Sequence, residues 1–326
     1  MKKRLFGKTG IEVSEIGIGT WQLGGVWGDD YNEESAKEIL EVSYQNGINL
    51  IDTADVYNGG KSELTINDFI KDKSDIFVIT KSGRQLKPHI AEKYTIENIE
   101  NYIDDSRKRL GVEKLDMVLL HCPPSEVYDN KELFKGLDEL IVKGKISHYG
   151  VSVEKVSEAI KAIENYNISA VEIIFNMFRL KPMEEFFKIA KEKNIGIIVR
   201  VPLASGLLSG KFNKDTTFGE NDHRHFNRNG EAFDKGETFS GVPYEKGLEA
   251  VEELKKLFNT EKLAPYAIKW ILMHDAVSTV IPGASKSAQV ISNVEASKLD
   301  DLTDEQMKKV EEIYNKYIKE FVHENW

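Results

Sequence analysis

An acid, a phenol, an amine and an imidazole recur in this chain at one kind of place, the C-terminal end of a short apolar run. Asp52 closes the run Gly47-Ile48-Asn49-Leu50-Ile51, and Tyr57 follows it on a stretch that leads into the loop residues Asn58-Gly59-Gly60. Lys81 follows Ile76-Phe77-Val78-Ile79-Thr80, and His121 follows Leu115-Asp116-Met117-Val118-Leu119-Leu120. A free phenol, with a pKa of about 10, is a poor acid near neutrality. An ammonium beside it stabilises the phenolate, lowers that pKa and eases proton donation to a developing alkoxide. Asp52 is the group to keep Lys81 charged and in place, and His121 the group to orient a carbonyl. Each alone reads more simply as a strand-end hydrogen-bonding residue. The chemistry needs all four to converge, as they do where parallel strands present their C-terminal ends on one face of a barrel.

The elements that would position them alternate along the chain. Lys3 to Glu15 reads as a small hairpin about Lys8-Thr9-Gly10, acting as a plug or lid. The glycine-rich Ile16-Gly17-Ile18-Gly19-Thr20-Trp21 is a first short strand, and further strands are predicted near 48–52, 76–80, 115–120, 146–151, 170–175, 195–201 and 278–282. Helical spacing fills nearly every interval, which makes about eight βα units. Glu33 to Asn46 carries apolar positions at that spacing, Ser62 precedes a run to Ile70, and Thr95 opens one that Gly111 closes. Pro182 suits the first turn of a helix over 182–193, with Phe186, Phe187, Ile189 and Ala190 as its buried stripe. Residues 206–243 lack periodicity and, placed just after a strand end, predict a lid. A last helix is predicted from Thr303 to Val322. The pattern shows no linker, and we expect one domain over residues 1–326.

Composition narrows the function. With 40% hydrophobic and 30% charged residues the chain can bury a large core. A net charge of -10 argues against a general binder of nucleic acid or anionic membranes, while leaving room for a local basic pocket for a phosphate. Cys122 is the single cysteine, which excludes an intramolecular disulfide and a cysteine metal cluster and fits a reducing cytoplasm. Met1-Lys2-Lys3-Arg4 leads into no apolar stretch, and no segment reaches membrane-spanning length, so neither export nor membrane insertion is expected.

Two motifs mislead. Gly206-Leu207-Leu208-Ser209-Gly210-Lys211-Phe212 is one residue short of a phosphate loop and lacks the Ser or Thr after the lysine. Gly17-Ile18-Gly19-Thr20-Trp21-Gln22 begins like a dinucleotide fingerprint without its last small residue or a ribose-binding acid. The better phosphate site is Gly283-Ala284-Ser285-Lys286-Ser287-Ala288-Gln289, where a strand gives way to a helix whose free backbone N–H groups and dipole attract anions and where Lys286 adds a charge. His223 and His225 lack a convincing third ligand, so no metal is expected. Cys122, followed by Pro123-Pro124, belongs to a strand-exit turn.

In their order, Gly19-Thr20-Trp21, Asp52-Thr53-Ala54 with Tyr57, Thr80-Lys81, Leu120-His121, Gly150-Val151-Ser152, Pro202 through Lys211 and Ile281-Pro282-Gly283-Ala284-Ser285 make the chain resemble the aldo-keto reductase family over nearly its whole length. The resemblance implies a (β/α)8 TIM barrel of the α/β class with an N-terminal β-hairpin and a long cofactor-side loop after strand 7. It implies an enzyme that binds NADP(H), with NAD(H) as the alternative, in extended form. Such an enzyme reduces an aldehyde or ketone, with Asp52, Tyr57, Lys81 and His121 as the catalytic four and Tyr57 as the acid. It further implies a cofactor site built from Gly19, Thr20, Trp21, Asp52, Ser152, Glu172, Asn176, Arg200, Pro202, Leu203, Ser205, Gly206, Leu208, Gly210, Lys211, Gly283, Ser285, Lys286, Gln289 and Asn293, with Gln289 and Asn293 beside the adenosine and its 2′-phosphate.

The chain departs from the family pattern at the nicotinamide end. Val153 stands where asparagine often follows Ser152, Glu172 where glutamine is expected, Arg200 where an aromatic ring usually stacks, and Ser285 where many relatives carry arginine. Glu172 and Arg200 could pair with each other. The expected partner is a small-molecule carbonyl, with neither nucleic acid nor membrane, and Trp21, Trp27, Tyr57 and the 206–243 segment are the expected pocket walls. Two rivals stay open. One is a cofactor-binding regulatory protein like the potassium-channel accessory subunits that resemble reductases; the other is an unrelated barrel hydrolase or lyase.

Overall fold

Segments such as Leu115–His121 place large apolar side chains on both faces, and strands buried on both faces belong to parallel sheets sheathed by helices. The computed structural model describes residues 1–25 and 30–326; Trp27, one of the expected pocket walls, lies outside them. An antiparallel hairpin of β1 (Lys3–Leu5) and β2 (Glu12–Ser14) precedes eight parallel strands. These are β3 (Ile18–Gly19), β4 (Leu50–Asp52), β5 (Phe77–Ser82), β6 (Leu115–His121), β7 (Ile146–Ser152), β8 (Ala170–Ile174), β9 (Gly196–Arg200) and β10 (Thr279–Val280). Each pairs with the next in chain order. Parallel bridges from Ile16 to Val280 and from Gly19 to Gly283 join the first strand to the last and close the sheet.

The hairpin is a plug at the N-terminal end of the barrel. Phe6 and Val13 are buried with Leu50, Phe77, Ile79, Met117, Leu119 and Ile198. Gly7 permits this approach, because a Cβ there would lie 2.3 Å from the backbone nitrogen of Gly196 and its φ of +52° already disfavours other residues. Outside the strands, a helix over Glu33–Gln45 is capped by the Asn32 side chain, and one over Ile96–Leu110 starts at the Thr95 hydroxyl and stops at left-handed Gly111. Its buried Ile99, Ile103, Ser106 and Leu110 form the helical stripe that faces the barrel.

Three expectations are refined. The helix predicted over 182–193 is a 3-10 turn, Lys181–Met183, and then a helix over Phe186–Glu192, because Glu185 leaves the helical region at φ −129°. The last helix runs over Asp304–Tyr317, breaks at Ile318 and resumes over Lys319–Val322; its buried Val310 and Tyr314 belong to the face packed against the helix Tyr244–Phe258. Residues 206–243 contain a short helix, His223–Phe226, and the 3-10 turns Lys235–Glu237 and Phe239–Gly241. Periodicity could not find these turns, because polar anchors and isolated buried residues such as Phe239 hold them, with no repeating apolar face. Asn176 donates to Ser240 Oγ at 2.8 Å, Ser205 Oγ donates to the Glu237 carbonyl at 2.9 Å, and Trp326 donates its indole N–H to Asp234 at 2.9 Å.

Candidate active site

The strand register brings the chemistry together at the C-terminal mouth. Asp52 ends β4, Lys81 is the penultimate residue of β5, and His121 ends β6 opposite Ser152, which in turn lies opposite Glu172 on β8. Tyr57 opens a 3-10 turn, Tyr57–Gly60, in which Asn58 and Gly59 take left-handed conformations. Lys81 is fully buried, and its Nζ lies 2.5 Å from Asp52 Oδ1, 3.2 Å from the Thr53 carbonyl, 3.4 Å from Glu172 Oε2 and 3.5 Å from the Tyr57 hydroxyl. The Tyr57 and His121 rings meet edge to face at 5.9 Å, and Trp21 stacks beside Tyr57 at 6.4 Å.

Burial and charge set the protonation states here. Burial alone would pull the Lys81 ammonium down, but Asp52, Glu172 and Tyr57 raise it above its ordinary value. Two carboxyl groups share one ammonium, and burial pushes Asp52 well above the carboxylate range, with Glu172 adding to the shift and Lys81 opposing it. The expectation that Lys81 brings the phenol below its free value is corrected. Burial raises Tyr57, the Lys81 charge pulls it back, Asp52 and Glu172 push it up again, and the net direction is upward. A phenol so placed keeps its proton at neutral pH. Burial, with Arg84, Lys81 and Arg200 nearby, holds His121 well below its ordinary value, so the imidazole is neutral and can donate one hydrogen bond.

Asp52, Tyr57 and His121 line a cavity of about 790 Å³. Ser152, Glu172 and Arg200 line it from the neighbouring strand ends, Pro202, Leu203, Ser205, Gly206 and Lys211 from the segment after β9, and Gly283, Ser285, Lys286, Gln289 and Asn293 from the segment after β10, with Gly19 and Trp21. A cavity of that size which joins acid–base groups to Lys286 at a helix start suits a dinucleotide. Five expected cofactor or catalytic residues do not line it. Lys81 lies beneath the floor, Thr20 donates to the Asp52 carbonyl at 2.9 Å, Asn176 braces the Val201 carbonyl and Ser240, Leu208 is core, and Gly210 caps a turn in a left-handed conformation. The helix start is also less open than expected. The Gln289 side chain accepts from the backbone N–H of Ser285 at 2.7 Å and of Lys286 at 3.2 Å, engaging two of the donors meant for phosphate.

Sequence reasoning missed the charged ring around Arg200. The guanidinium bonds Glu154 at 2.9 Å and the Val153 carbonyl at 3.1 Å, and it approaches Glu237 at 3.7 Å; Glu172 is its distant partner at 3.9 Å. The pairing considered for Arg200 and Glu172 is therefore secondary to that with Glu154. Arg84 completes the ring by bonding Glu237 at 2.5 Å. Glu154 and Arg84 each lie two residues beyond a strand end, a position that could have flagged them, whereas Glu237 comes from the 206–243 segment with no spacing signal. Cys122, Glu154 and Glu237 bring three ligand-type groups together, but the two carboxylates are held by arginines and burial pushes the thiol up to about 12. His223 is buried against Trp21 with Nδ1 3.2 Å from Thr238 Oγ1, while His225 is exposed.

Fold and site together define a (β/α)8 barrel with an acid, an amine, a phenol and an imidazole at its C-terminal mouth. The model of the Aldo/keto reductase family matches residues 15–315, and the chain belongs to that family of oxidoreductases. It is 29% identical over 315 residues to the uncharacterized oxidoreductase YqkF of Bacillus subtilis, covering 94% of this chain and 95% of that one. It is also 29% identical over 332 residues to a putative voltage-gated potassium channel subunit beta of Schizosaccharomyces pombe, covering 96% and 93%. Among solved structures, the glycerol dehydrogenase AKR11B4 of Gluconobacter oxydans superposes with a TM-score of 0.78 at 27% identity, covering 97% of this chain and 96% of that one. No helix among the described residues is long and apolar enough to cross a membrane.

Proposed function

We propose that this protein is a cytoplasmic, single-domain enzyme that reduces an aldehyde or ketone to an alcohol with NADP(H), Tyr57 being the proton donor. The observation that carries the reading is Lys81 Nζ at 2.5 Å from Asp52 and 3.5 Å from the Tyr57 hydroxyl, beneath the cavity that Asp52 and Tyr57 line. Bound NADP(H) supplies the hydride. Tyr57 gives its proton to the developing alkoxide, and the Lys81 charge stabilises the phenolate left behind. Neutral His121 donates a hydrogen bond that orients the carbonyl. Residues Pro202 to Lys211 hold the pyrophosphate, and Lys286, Gln289 and Asn293 hold the adenosine end. Because Gln289 already occupies the Ser285 and Lys286 backbone donors, Lys286 carries the preference for a 2′-phosphate, and NAD(H) is the alternative cofactor.

A second reading, a cofactor-binding accessory protein with little turnover, draws on the 29% identity to a putative channel subunit across 96% of this chain. One experiment separates the two. A panel of aldehydes, ketones, sugars and small polyols, glycerol among them, is assayed by absorbance with NADPH and NADH, alongside fluorescence titration of each cofactor. Turnover on any member supports the enzyme; tight binding without turnover supports the accessory protein; no nicotinamide binding defeats both.

A further inference from the structure

Glu172 is a second acid on the catalytic ammonium. Its side chain is 2% exposed, Oε2 lies 3.4 Å from Lys81 Nζ, and Oε1 accepts from Ser152 Oγ at 3.1 Å. The strand register fixes this placement, since Ser152 on β7 pairs with Glu172 on β8 and His121 on β6 pairs with Ser152. Asp52 reaches Lys81 from β4 on the other side. A glutamine at position 172 could make the same hydrogen bond to Ser152, but it would bring no charge.

We propose that Glu172 is a positioning residue which clamps Lys81 against Asp52 and, by adding a second negative charge, keeps Tyr57 as the phenol, so that alcohol oxidation, which needs the phenolate, waits for alkaline pH. The proposal rests on Tyr57 being the proton carrier of the reading above. The charged and titratable groups around the phenol are Asp52 on β4, Lys81 on β5, His121 on β6, Glu172 on β8, and Arg84 beyond β5; Arg200 on β9 lies behind Glu172. The two arginines bond Glu154 and Glu237 more closely, and Arg200 approaches Glu172 only at 3.9 Å, so they offset the charge of Glu172 in part. Lys81 is the nearest cation to both inner acids, hydrogen-bonded to Asp52 and ion-paired with Glu172 at 3.4 Å. Burial and Glu172 hold a proton on Asp52 well above the carboxylate range, so the two acids are both ionised only as pH rises; one ammonium cannot then neutralise both, and the excess negative charge opposes formation of a third anion on Tyr57.

The test reads the phenol itself, without cofactor or substrate. Difluorotyrosine placed at position 57, whose phenol is more acidic, is titrated by fluorine NMR in the full chain. Removing a buried like charge eases deprotonation, so Glu172→Gln should lower the midpoint by about one unit or more. Glu172→Met, which removes the charge along with the hydrogen bond, should lower it similarly and serves if the Gln variant fails to fold. Glu172→Asp, which keeps the charge, should stay near the parent value. An unchanged midpoint in a folded Gln or Met variant, or an Asp variant shifted as far as the Gln one, overturns the proposal. If carbonyl reduction itself is not found, this titration still stands. If it is found, the acid limb of the alcohol-oxidation profile in unlabelled Glu172→Gln should move to lower pH by the same amount.

Discussion

Tyr57 and Asp55 sit two residues apart and answer to the same force, burial, with different outcomes. For Tyr57 burial keeps the proton on, which is what a donor requires. Tyr57→Phe keeps the ring while removing that proton, so carbonyl reduction should fall by roughly 100-fold or more with cofactor affinity nearly unchanged. Lys81→Met should be similarly damaging, since the phenolate loses its counter-charge. Steady-state rates beside fluorescence titration check both, and near-parent turnover in the Phe variant would remove Tyr57 as the acid. For Asp55 burial is a liability: desolvation, reinforced by Glu63, pushes its carboxyl up to about 7. A carboxyl raised above its unfolded value of about 4 favours folding below that value and loses the advantage as pH rises to about 7. Asp55→Asn should therefore melt higher than the parent at pH 8, with the gap shrinking toward pH 4. Parallel melting curves across that range would show that Asp55 is not the group responsible.

At the scale of elements, the 206–243 segment is held to the barrel by buried Leu207, Leu208, Phe239 and Val242, and also by charge and by side chain to main chain bonds. Glu237 reaches Arg84 and Arg200; although burial works the other way, these arginines hold its carboxyl down at about 2. Arg200 is thus a strut between strand β9, the turn after β7 and this segment. Arg200→Leu would strip the charge partner from Glu154, a carboxyl that burial already raises to about 7 against the pull of Arg200. Breaking a buried pair costs roughly 3–5 kcal/mol, and because Glu154 can take up a proton we expect the lower end of that range, less at pH 6 than at pH 8. The double change Glu154→Gln, Arg200→Leu should recover part of the loss. Denaturant unfolding without cofactor measures all three variants. A stable Arg200→Leu protein with weakened cofactor binding would instead make Arg200 a cofactor contact.

Across the whole molecule, the barrel opens the catalytic floor and the start of the helix Ser287–Glu295 onto one cavity. A change at that helix start should then alter cofactor choice without touching the chemistry. Lys286 is exposed at that helix start, and Ser285 beside it has no charge. Lys286→Ala should weaken NADPH by roughly tenfold or more and NADH far less, since a charge-assisted bond to the 2′-phosphate exists for the first alone. Equal weakening in paired fluorescence titrations would take Lys286 away from that phosphate.

Residue order alone determined the alternation of eight strands with helices, because buried parallel strands and capped amphipathic helices each leave a local pattern. Asp52, Tyr57, Lys81 and His121 were legible for the same reason: each follows a readable strand end, and parallel strands bring such ends to one face. Strand register and side-chain reach are long-range quantities, so the tertiary structure decided what those positions mean. It buried the Tyr57 phenol and placed Lys81 between two acids instead of one, and burial first, the acids second, turned the expected lowering of the phenol into a rise. It gave Arg200 to Glu154 and, through the turn Lys235–Glu237, brought Glu237 to the mouth from a segment without periodicity. Local pattern reports which face a side chain takes; the sum of charges meeting in a buried site depends on neighbours from other strands.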